Sequence, residues 1–148
     1  MIITTNMGAH MMTGFQRMTT QRRLILQALR STTSHPTADW VYNRVREDLP
    51  NVSLGTIYRN LRALVEMGEA QSLSYGSGQD RFDGNAVPHY HFRCLECGRV
   101  YDVPMSHRPE LDQEAAKSFP GQVAGHRLEF YGTCGGCLRE KGRTPSGD

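Results

Sequence analysis

The sequence predicts an α+β protein built from two units. Three segments of helical periodicity and a strand-like hairpin fall within the first 83 of its 148 residues. A stretch containing Gly and Pro follows at 84–88, and strand-like and helical segments then alternate in the remainder. Both Cys-x-x-Cys pairs of the chain lie in this remainder. We therefore expect a helical unit at 1–83, a hinge at 84–88 and a small α/β unit at 89–148.

Three helices in the first unit are predicted from apolar residues that recur at helical spacing. Thr20, Thr37 and Ser53 are the expected N-caps, Pro50 ends the second helix, and Gly68 ends the third. The apolar stripes are Leu24, Ile25, Ala28 and Leu29 in the first helix, Val41, Val45 and Leu49 in the second, and Ile57, Leu61, Leu64 and Val65 in the third. The first 17 residues show no clear periodicity and are expected to form a loose arm.

The order of these elements is that of a winged helix-turn-helix. Two short strand-like runs around the Gly-Ser-Gly sequence at 76–78 predict a hairpin after the third helix. In that fold the third helix enters the major groove of DNA. The alternative is that its polar side chains face solvent in a protein that does not bind DNA. The candidates for contact with phosphates and base edges are Ser53, Thr56, Tyr58, Arg59, Asn60 and Arg62.

Charge is distributed unevenly along the chain, although the net charge is only +2. Residues 1–64 carry eight arginines and three acids, a balance of +5, whereas the rest of the chain carries −3. An arginine-rich unit suits phosphate contact, and a solvated helical surface is the alternative. No apolar run approaches the ~20 residues of a membrane span, and the start lacks the features of a signal peptide. We therefore expect a cytoplasmic protein with no membrane partner, in which thiols stay reduced.

The second unit is predicted to be small and of mixed structure. The segments HYHFRC and RVYDV are strand-like, PELDQEAAKS is helical, and HRLEFYGTC predicts another strand. We expect a mostly antiparallel sheet. A unit of this size buries little apolar surface on its own, so dimerisation or a bound metal should stabilise it.

Four cysteines form two knuckles in the second unit, Cys94 with Cys97 and Cys134 with Cys137. Two pairs of this type can surround one tetrahedral Zn²⁺ ion, which would join the last strand of the unit to its first. The alternative is a redox switch in which each pair forms a disulfide. Neither pair begins an obvious helix that would lower a thiol pKa, so the spacing favours structural zinc.

The segment HYHFRCLEC combines two kinds of metal ligand. Alternate residues of a strand share a face, so His89 and His91 point to one side and Cys94 points to the other. The segment therefore serves two separate sites. The candidates to complete the histidine site are His35, Asp83 and Asp102. Each also has a structural alternative: His35 as a loop histidine, Asp83 as a turn residue and Asp102 as the end of a strand.

The motifs HPTAD, SLGTIYRNL, RFD, HYHFRCLECG, VYD and HRLEFYGTCGGC occur in this order between Thr19 and Cys137. In this order and spacing they resemble the Fur superfamily of metal-dependent repressors and, within it, the peroxide-sensing branch. The resemblance implies a homodimeric repressor that binds a double-stranded DNA operator through the first unit, dimerises through the second and carries structural zinc on the four cysteines. It also implies a regulatory Fe²⁺ or Mn²⁺ ion bound by His35, Asp83, His89, His91 and Asp102.

Peroxide sensing is the finer implication of the resemblance. In the iron-loaded form, His35 and His89 are the expected sites of oxidation by hydrogen peroxide, followed by loss of the metal and derepression. The nearest alternative is a repressor that senses iron, manganese or zinc without responding to peroxide. A thiol-disulfide sensor is another. A metal-dependent hydrolase is the enzymatic alternative, but five protein ligands leave little room for both substrate and water, so no enzyme activity is expected.

Four positions bear on which branch the sequence resembles. Asp102 stands where iron-sensing relatives usually carry Glu. Pro88 and Tyr90 stand where those relatives carry ligands of a further metal site, so that site is not expected. His126 matches one member of it and is expected to be structural.

Overall fold

The computed structural model describes residues 16–74 and 79–142 and has the predicted α+β fold. Its helices are α1 Thr20–Arg30, α2 Ala38–Val45, α3 Leu54–Glu66, α4 Glu110–Ser118 and α5 Gly135–Glu140. Its strands are β1 Gln71–Leu73, β2 Arg81–Asp83, β3 Tyr90–Cys94, β4 Val100–Val103 and β5 Glu129–Gly132. The Gly-Ser-Gly turn at 76–78 and all but the last two residues of the predicted arm lie outside the described residues. In the described ranges, no helix has the length and apolar character needed to cross a membrane.

Helices α1, α2 and α3 pack around one apolar core. Phe82 and Ala70, from the hairpin region, close this core. The prediction was wrong at one position of α1, because Leu26 is buried whereas Leu24 is partly exposed. The largest fully buried apolar side chains of the three helices are Ile25, Leu29, Val41, Val45, Ile57, Leu61 and Leu64.

The helix boundaries follow local hydrogen bonding. Thr37 and Ser53 cap α2 and α3 as predicted, but the cap of α1 is Thr19, one residue before the predicted Thr20. Helix α2 ends at Val45 rather than at Pro50, because the backbone N–H groups of residues 48 and 49 both donate to the Val45 carbonyl and close a turn.

Helix α3 ends at Glu66 with Met67 as its C-cap, one residue before the predicted Gly68, and Gly68 follows with a φ of +73° that suits glycine. The N–H groups of Gly68 and Glu69 donate to the carbonyls of Val65 and Leu64, at 3.0 and 2.9 Å. The two bonds satisfy carbonyls that the helix end would otherwise leave without partners. They also turn the chain sharply into β1.

The predicted hairpin is confirmed, with β1 antiparallel to β2. A third segment, which was not predicted, pairs with the other side of β2. Thr37 forms a bridge with Arg81, and the Phe82 N–H donates to the Pro36 carbonyl at 2.9 Å. This pairing brings His35 next to the end of β2.

The second sheet has the strand order β4-β3-β5. Strands β3 and β4 are antiparallel, with His91 opposite Asp102, whereas β3 and β5 are parallel, with Cys94 opposite Gly132. The prediction of a mostly antiparallel sheet is therefore wrong for one of the two pairings. The chain passes through α4 between β4 and β5, which gives the long connection that a parallel neighbour needs.

Candidate metal centres

The four cysteines lie together beside the ends of β3 and β5, and we call them the Cys cluster. The Sγ atoms of Cys94 and Cys137 are 3.8 Å apart, as are those of Cys97 and Cys134. All four sulfurs lie within 4.8 Å of one another. A tetrahedral zinc ion with Zn–S bonds of about 2.3 Å would place its ligands about 3.8 Å apart. The donor set and its spacing therefore fit Zn²⁺.

Backbone groups favour the thiolate form at two members of the Cys cluster, Cys94 and Cys134. Burial opposes ionisation of Cys94, but the N–H groups of Cys97, Cys134 and Glu96 outweigh it and lower the pKa of its thiol to about 6. The backbone N–H of Cys137 lowers the pKa of Cys134, which is also the N-cap of α5. The expectation that neither pair begins a helix is therefore wrong for CGGC. Both shifts favour metal binding at these two residues, because the thiolate is the species that binds a metal. Cys137 differs, because its contact with the Cys134 sulfur, together with burial, raises the pKa of its thiol to about 12.

The second cluster combines three imidazoles with two carboxylates. We call it the His/Asp cluster, and its members are His35, Asp83, His89, His91 and Asp102. The Nε2 atom of His89 lies 2.9 Å from Asp83 Oδ2 and 3.0 Å from Asp102 Oδ1. Asp102 Oδ1 is also 2.9 Å from His35 Nε2, and Asp83 Oδ2 is 3.1 Å from His91 Nε2. Ligands at right angles around an ion about 2.1 Å away lie about 3.0 Å apart, so these spacings fit an octahedral divalent cation.

His35 reaches the cluster through an uncommon backbone conformation. Its φ is +50°, in the left-handed region, and it precedes Pro36, which further restricts its backbone. A residue held in this region costs on the order of 1 kcal/mol. Arg81 holds the conformation by donating from Nη1 to the His35 carbonyl at 3.0 Å, and the imidazole is only 2% exposed. The fold thus accepts local strain in order to place this ring in the cluster.

Residues 84–88, the predicted hinge, orient two of the ligands. The Asn85 N–H donates to Asp83 Oδ1 at 2.8 Å, which leaves Oδ2 for the cluster. The Nδ1–H of His89 donates to the Val87 carbonyl at 2.6 Å, so the lone pair of Nε2 faces the cluster. Gln71 of β1 donates to the carbonyls of Asn85 and Val87, at 2.9 and 3.3 Å. The orientation of these ligands therefore depends on the conformation of residues 84–88.

The electrostatics of the cluster favour a bound cation. Burial lowers the pKa of the His35 imidazole despite the carboxylates beside it. At His89 burial acts in the same direction, but the Val87 carbonyl and both carboxylates outweigh it and raise the pKa. Burial disfavours the Asp83 carboxylate, yet hydrogen bonds from His91 and the hinge lower its pKa. Asp83 is therefore ionised at neutral pH and His35 is neutral, which are their metal-binding forms.

Comparison with known proteins gives the family. Residues 14–131 match the ferric uptake regulator family, FUR. The chain belongs to this family. It is 40% identical over 121 residues to the peroxide-responsive repressor PerR of Staphylococcus aureus strain USA300, which covers 82% of both chains.

Two solved structures of Fur-family proteins resemble this one. The Campylobacter jejuni peroxide stress regulator has a TM-score of 0.68 at 25% identity, over 77% of this chain and 85% of that chain. The Vibrio cholerae ferric uptake regulator has a TM-score of 0.62 at 27% identity, over 80% of this chain and 92% of that chain. As a Fur-family protein, the chain is a metal-responsive repressor, and the relatives named here are regulators rather than enzymes.

Of the five residues that the Fur resemblance implied for the regulatory site, all but His89 offer ligand atoms that lie within 4.8 Å of one another. His89 lies beside them, 2.9 and 3.0 Å from the two carboxylates. All four cysteines lie together. The six candidates for DNA contact on and beside α3 differ in exposure: one is buried and five are exposed or partly exposed. Asn60 is buried, its Nδ2 donating to the Thr56 carbonyl at 3.0 Å and its Oδ1 accepting from Arg22 Nε at 3.2 Å. The Asn60 amide therefore joins α3 to α1, and its contact with DNA stays a prediction. The other five are exposed or partly exposed: Ser53, Thr56, Tyr58, Arg59 and Arg62.

Proposed function

We propose that this protein is a DNA-binding repressor that senses hydrogen peroxide through iron-catalysed oxidation of His35 and His89. The observation that carries the proposal is that the His/Asp cluster joins the two units. His35 precedes α2 and Asp83 ends β2, whereas the other three members come after the hinge. The 40% identity to the S. aureus peroxide-responsive repressor supports the choice of signal.

Two different metals suit the two clusters. The Cys cluster suits structural Zn²⁺, because four thiolates close a tetrahedral site and leave no position for another ligand. The His/Asp cluster suits Fe²⁺ or Mn²⁺, since imidazole and carboxylate are ligands that these ions accept in octahedral geometry. Its five protein ligands leave one position for a small molecule.

Helix α3 is the proposed reader of double-stranded DNA. Arg59 and Arg62 are exposed on it, and Tyr58 is 47% exposed. Arginine side chains bind phosphates and the acceptor edge of guanine, and hydroxyl groups such as those of Ser53 and Thr56 bind phosphate oxygens. Two copies of α3 in a homodimer would match a DNA site with two-fold symmetry.

The second unit supports a homodimer through apolar surface that it leaves uncovered. Phe119 and Tyr131 are 61% and 69% exposed, and Leu95 is 58% exposed. Helix α4 buries none of its residues. Exposed aromatic surface of this kind is typical of protein interfaces. A second copy of the chain is the proposed partner.

The switch follows from where the ligands lie. With all five on one ion, the two units are held in one orientation that presents α3 to DNA. Loss of His35 or His89 as a ligand removes a link between the units. They can then rotate about the hinge, which lowers the population of the DNA-binding arrangement. The crystal structure of the V. cholerae ferric uptake regulator reveals a structural rearrangement of the DNA-binding domains of that protein.

The rings of His35 and His89 border the proposed ion, which makes them the expected targets of oxidation. Bound ferrous iron would catalyse oxygen transfer to these rings: one oxygen of hydrogen peroxide goes to the imidazole, the other leaves as water, and the ring supplies the two electrons overall. Each modified imidazole gains one oxygen atom and becomes a poorer nitrogen donor, so the cluster loses affinity for its metal. Bound Mn²⁺ should hold the two units in the same way and leave both rings unmodified.

Peroxide exposure of the iron-loaded and manganese-loaded proteins tests the proposal. Tryptic peptide 31–44 contains His35, and peptide 82–93 contains both His89 and His91, which fragmentation separates. We expect the iron-loaded protein to gain one oxygen on His35 or His89 and to release a DNA duplex selected in vitro with the manganese-loaded protein. The manganese-loaded protein should keep the duplex and stay unmodified.

Peptide 118–127, which contains His126, is the internal control because this residue lies outside the His/Asp cluster. It should stay unmodified in both preparations. Retention of DNA by the iron-loaded protein, with no gain on either histidine, would refute peroxide sensing. The function would then be that of a Fur-type repressor that responds to iron, manganese or zinc itself.

A further inference from the structure

We infer that Asp112, His126 and Tyr90 form a hydrogen-bonded chain that positions His89 and His91 for metal binding. The inference rests on the metal-binding role proposed above for the His/Asp cluster. Tyr90 is the residue of β3 between the two histidines, and strand alternation places its ring on the opposite face. It is therefore a positioning residue, which acts on the metal site through the backbone.

The Tyr90 side chain is enclosed on the face away from the metal site. It is 2% exposed, and its ring centroid lies 5.7 Å from those of both His107 and His126. The rings of His107 and His126 stack nearly parallel, with centroids 4.8 Å apart. Phe130 of β5 meets the Tyr90 ring edge-on at 6.4 Å. A ring so enclosed has one position, and it fixes the backbone that carries both histidines.

The polar contacts of Tyr90 continue outward to α4. Its Oη accepts the backbone N–H of Arg108 at 2.9 Å and lies 2.6 Å from His126 Nε2. His126 Nδ1 lies 2.8 Å from Asp112 Oδ1. With the imidazole hydrogen on Nδ1, each of the three contacts has one donor and one acceptor, and all three donations run from Arg108 towards Asp112. Arg108 N–H donates to Tyr90, Tyr90 O–H donates to Nε2, and Nδ1–H donates to the Asp112 carboxylate.

This network engages both ring nitrogens of His126 with protein groups. The carboxylate at its outer end strengthens the neighbouring bond, and bonds in such a chain polarise one another. The result is a brace between α4, the segment before β5 and the ligand-bearing strand. Since α4 buries none of its residues, the Asp112 contact also helps to hold that helix on the unit.

The metal site is sensitive to small movements of β3. Its nitrogen-to-oxygen distances are between 2.9 and 3.4 Å for His89 and His91, so a shift of a few tenths of an ångström alters the coordination geometry. Groups that orient ligands from outside commonly change metal affinity by about 10- to 100-fold. Tyr90 acts indirectly, so we expect about a tenfold effect, at the lower end of that range.

Tyr90→Phe removes the hydroxyl and keeps the ring. We expect Mn²⁺ affinity, measured by competition with a fluorescent chelator at a temperature where the protein is fully folded, to fall about tenfold. Zinc content should stay at that of the wild type. Tyr131→Phe, a matched change at an exposed tyrosine of β5, should leave the Mn²⁺ affinity unchanged. A purely structural role for the hydroxyl would lower the unfolding temperature without changing the affinity of the folded protein.

Asp112→Ala tests the other end of the chain and does not depend on the folding of Tyr90→Phe, because Asp112 lies in a helix with no buried residue. Its Mn²⁺ affinity should also fall, while Glu114→Ala on the same helix should have no effect. Since the chain acts as one unit, the double variant should bind Mn²⁺ about as weakly as Tyr90→Phe alone, rather than with the two losses multiplied.

Wild-type affinity in Tyr90→Phe and Asp112→Ala would overturn this inference and leave the proposed function intact. Multiplied losses in the double variant would also overturn it, because the two residues would then act independently. Failure of the wild-type protein to bind Mn²⁺ would remove both the proposed function and the inference that rests on it.

Discussion

Replacing Cys94 with serine should abolish zinc binding and unfold the second unit. Its sulfur is fully buried, 3.8 Å from that of Cys137, and accepts the backbone N–H of Cys134 at 3.3 Å. A serine hydroxyl stays protonated at neutral pH and cannot replace the thiolate. Zinc binding by such sites contributes about 10–16 kcal/mol, as much as the whole stability of a typical domain. We therefore expect no stoichiometric zinc and no cooperative unfolding of the second unit by calorimetry.

Thr133→Ser is the matched control for this experiment. It changes the residue next to Cys134 without touching a sulfur, so zinc content and unfolding should match the wild type. One zinc ion per chain and an unchanged unfolding transition in Cys94→Ser would show that the Cys cluster does not hold the unit together.

Replacing His35 with asparagine should uncouple DNA binding from the metal. Asparagine adopts the left-handed backbone region more readily than most residues, so this change keeps the φ of +50° at small cost. It removes the imidazole that contacts Asp102 at 2.9 Å and brings the first unit to the cluster. Changes to groups outside the ligand set already cost about 10- to 100-fold, so loss of a direct ligand should weaken Mn²⁺ binding about 100-fold or more.

Fluorescence anisotropy with the selected duplex would measure the consequence for DNA. At a Mn²⁺ concentration that saturates the wild type, His35→Asn should bind the duplex no better than metal-free protein. Thr33→Asn, an exposed change in the same loop, should retain the metal response. A metal-dependent gain in DNA affinity in His35→Asn equal to that of the wild type would mean that His35 is not part of the switch.

Side-chain type and spacing were enough to predict the two metal-binding motifs and most of the first core. Paired cysteines and a His-x-His segment are recognisable as metal ligands from residue type alone, and strand alternation assigns them to two separate sites. The periodicity of α1 and α3 and the caps Thr37 and Ser53 predicted most of the first core. For His35, Asp83 and Asp102, the residues alone left open whether they were ligands, and the resemblance to the Fur superfamily supplied the set.

Long-range pairing explains most of what the sequence did not predict. His35 reaches Asp83 because the segment at 35–37 pairs with β2, and Asp102 reaches the histidines because it lies opposite His91. The pairing of segment 35–37 with β2 and the register between β3 and β4 cannot be read from the periodicity of either segment. Parallel pairing of β5 was missed for the same reason.

The orientation of the ligands, helix α5 and the position of Asn60 depend on backbone groups or on neighbouring elements, which residue type alone does not reveal. The hinge orients ligands through the Asn85 N–H and the Val87 carbonyl, which any residue can provide. Helix α5 was missed because its two opening glycines have low helix propensity. Asn60 was assigned to DNA because a polar residue on a helix suggests exposure, yet its amide bonds to Arg22 inside the unit.

The proposed switch requires one ion that binds both units at once. Anomalous diffraction at the manganese edge from crystals of the Mn²⁺-loaded protein would locate that ion directly. We expect one manganese peak per chain within bonding distance of His35 and of both His89 and His91. A manganese peak bound by His89 and His91 while His35 lies elsewhere in a DNA-competent dimer would show that the ion does not join the two units.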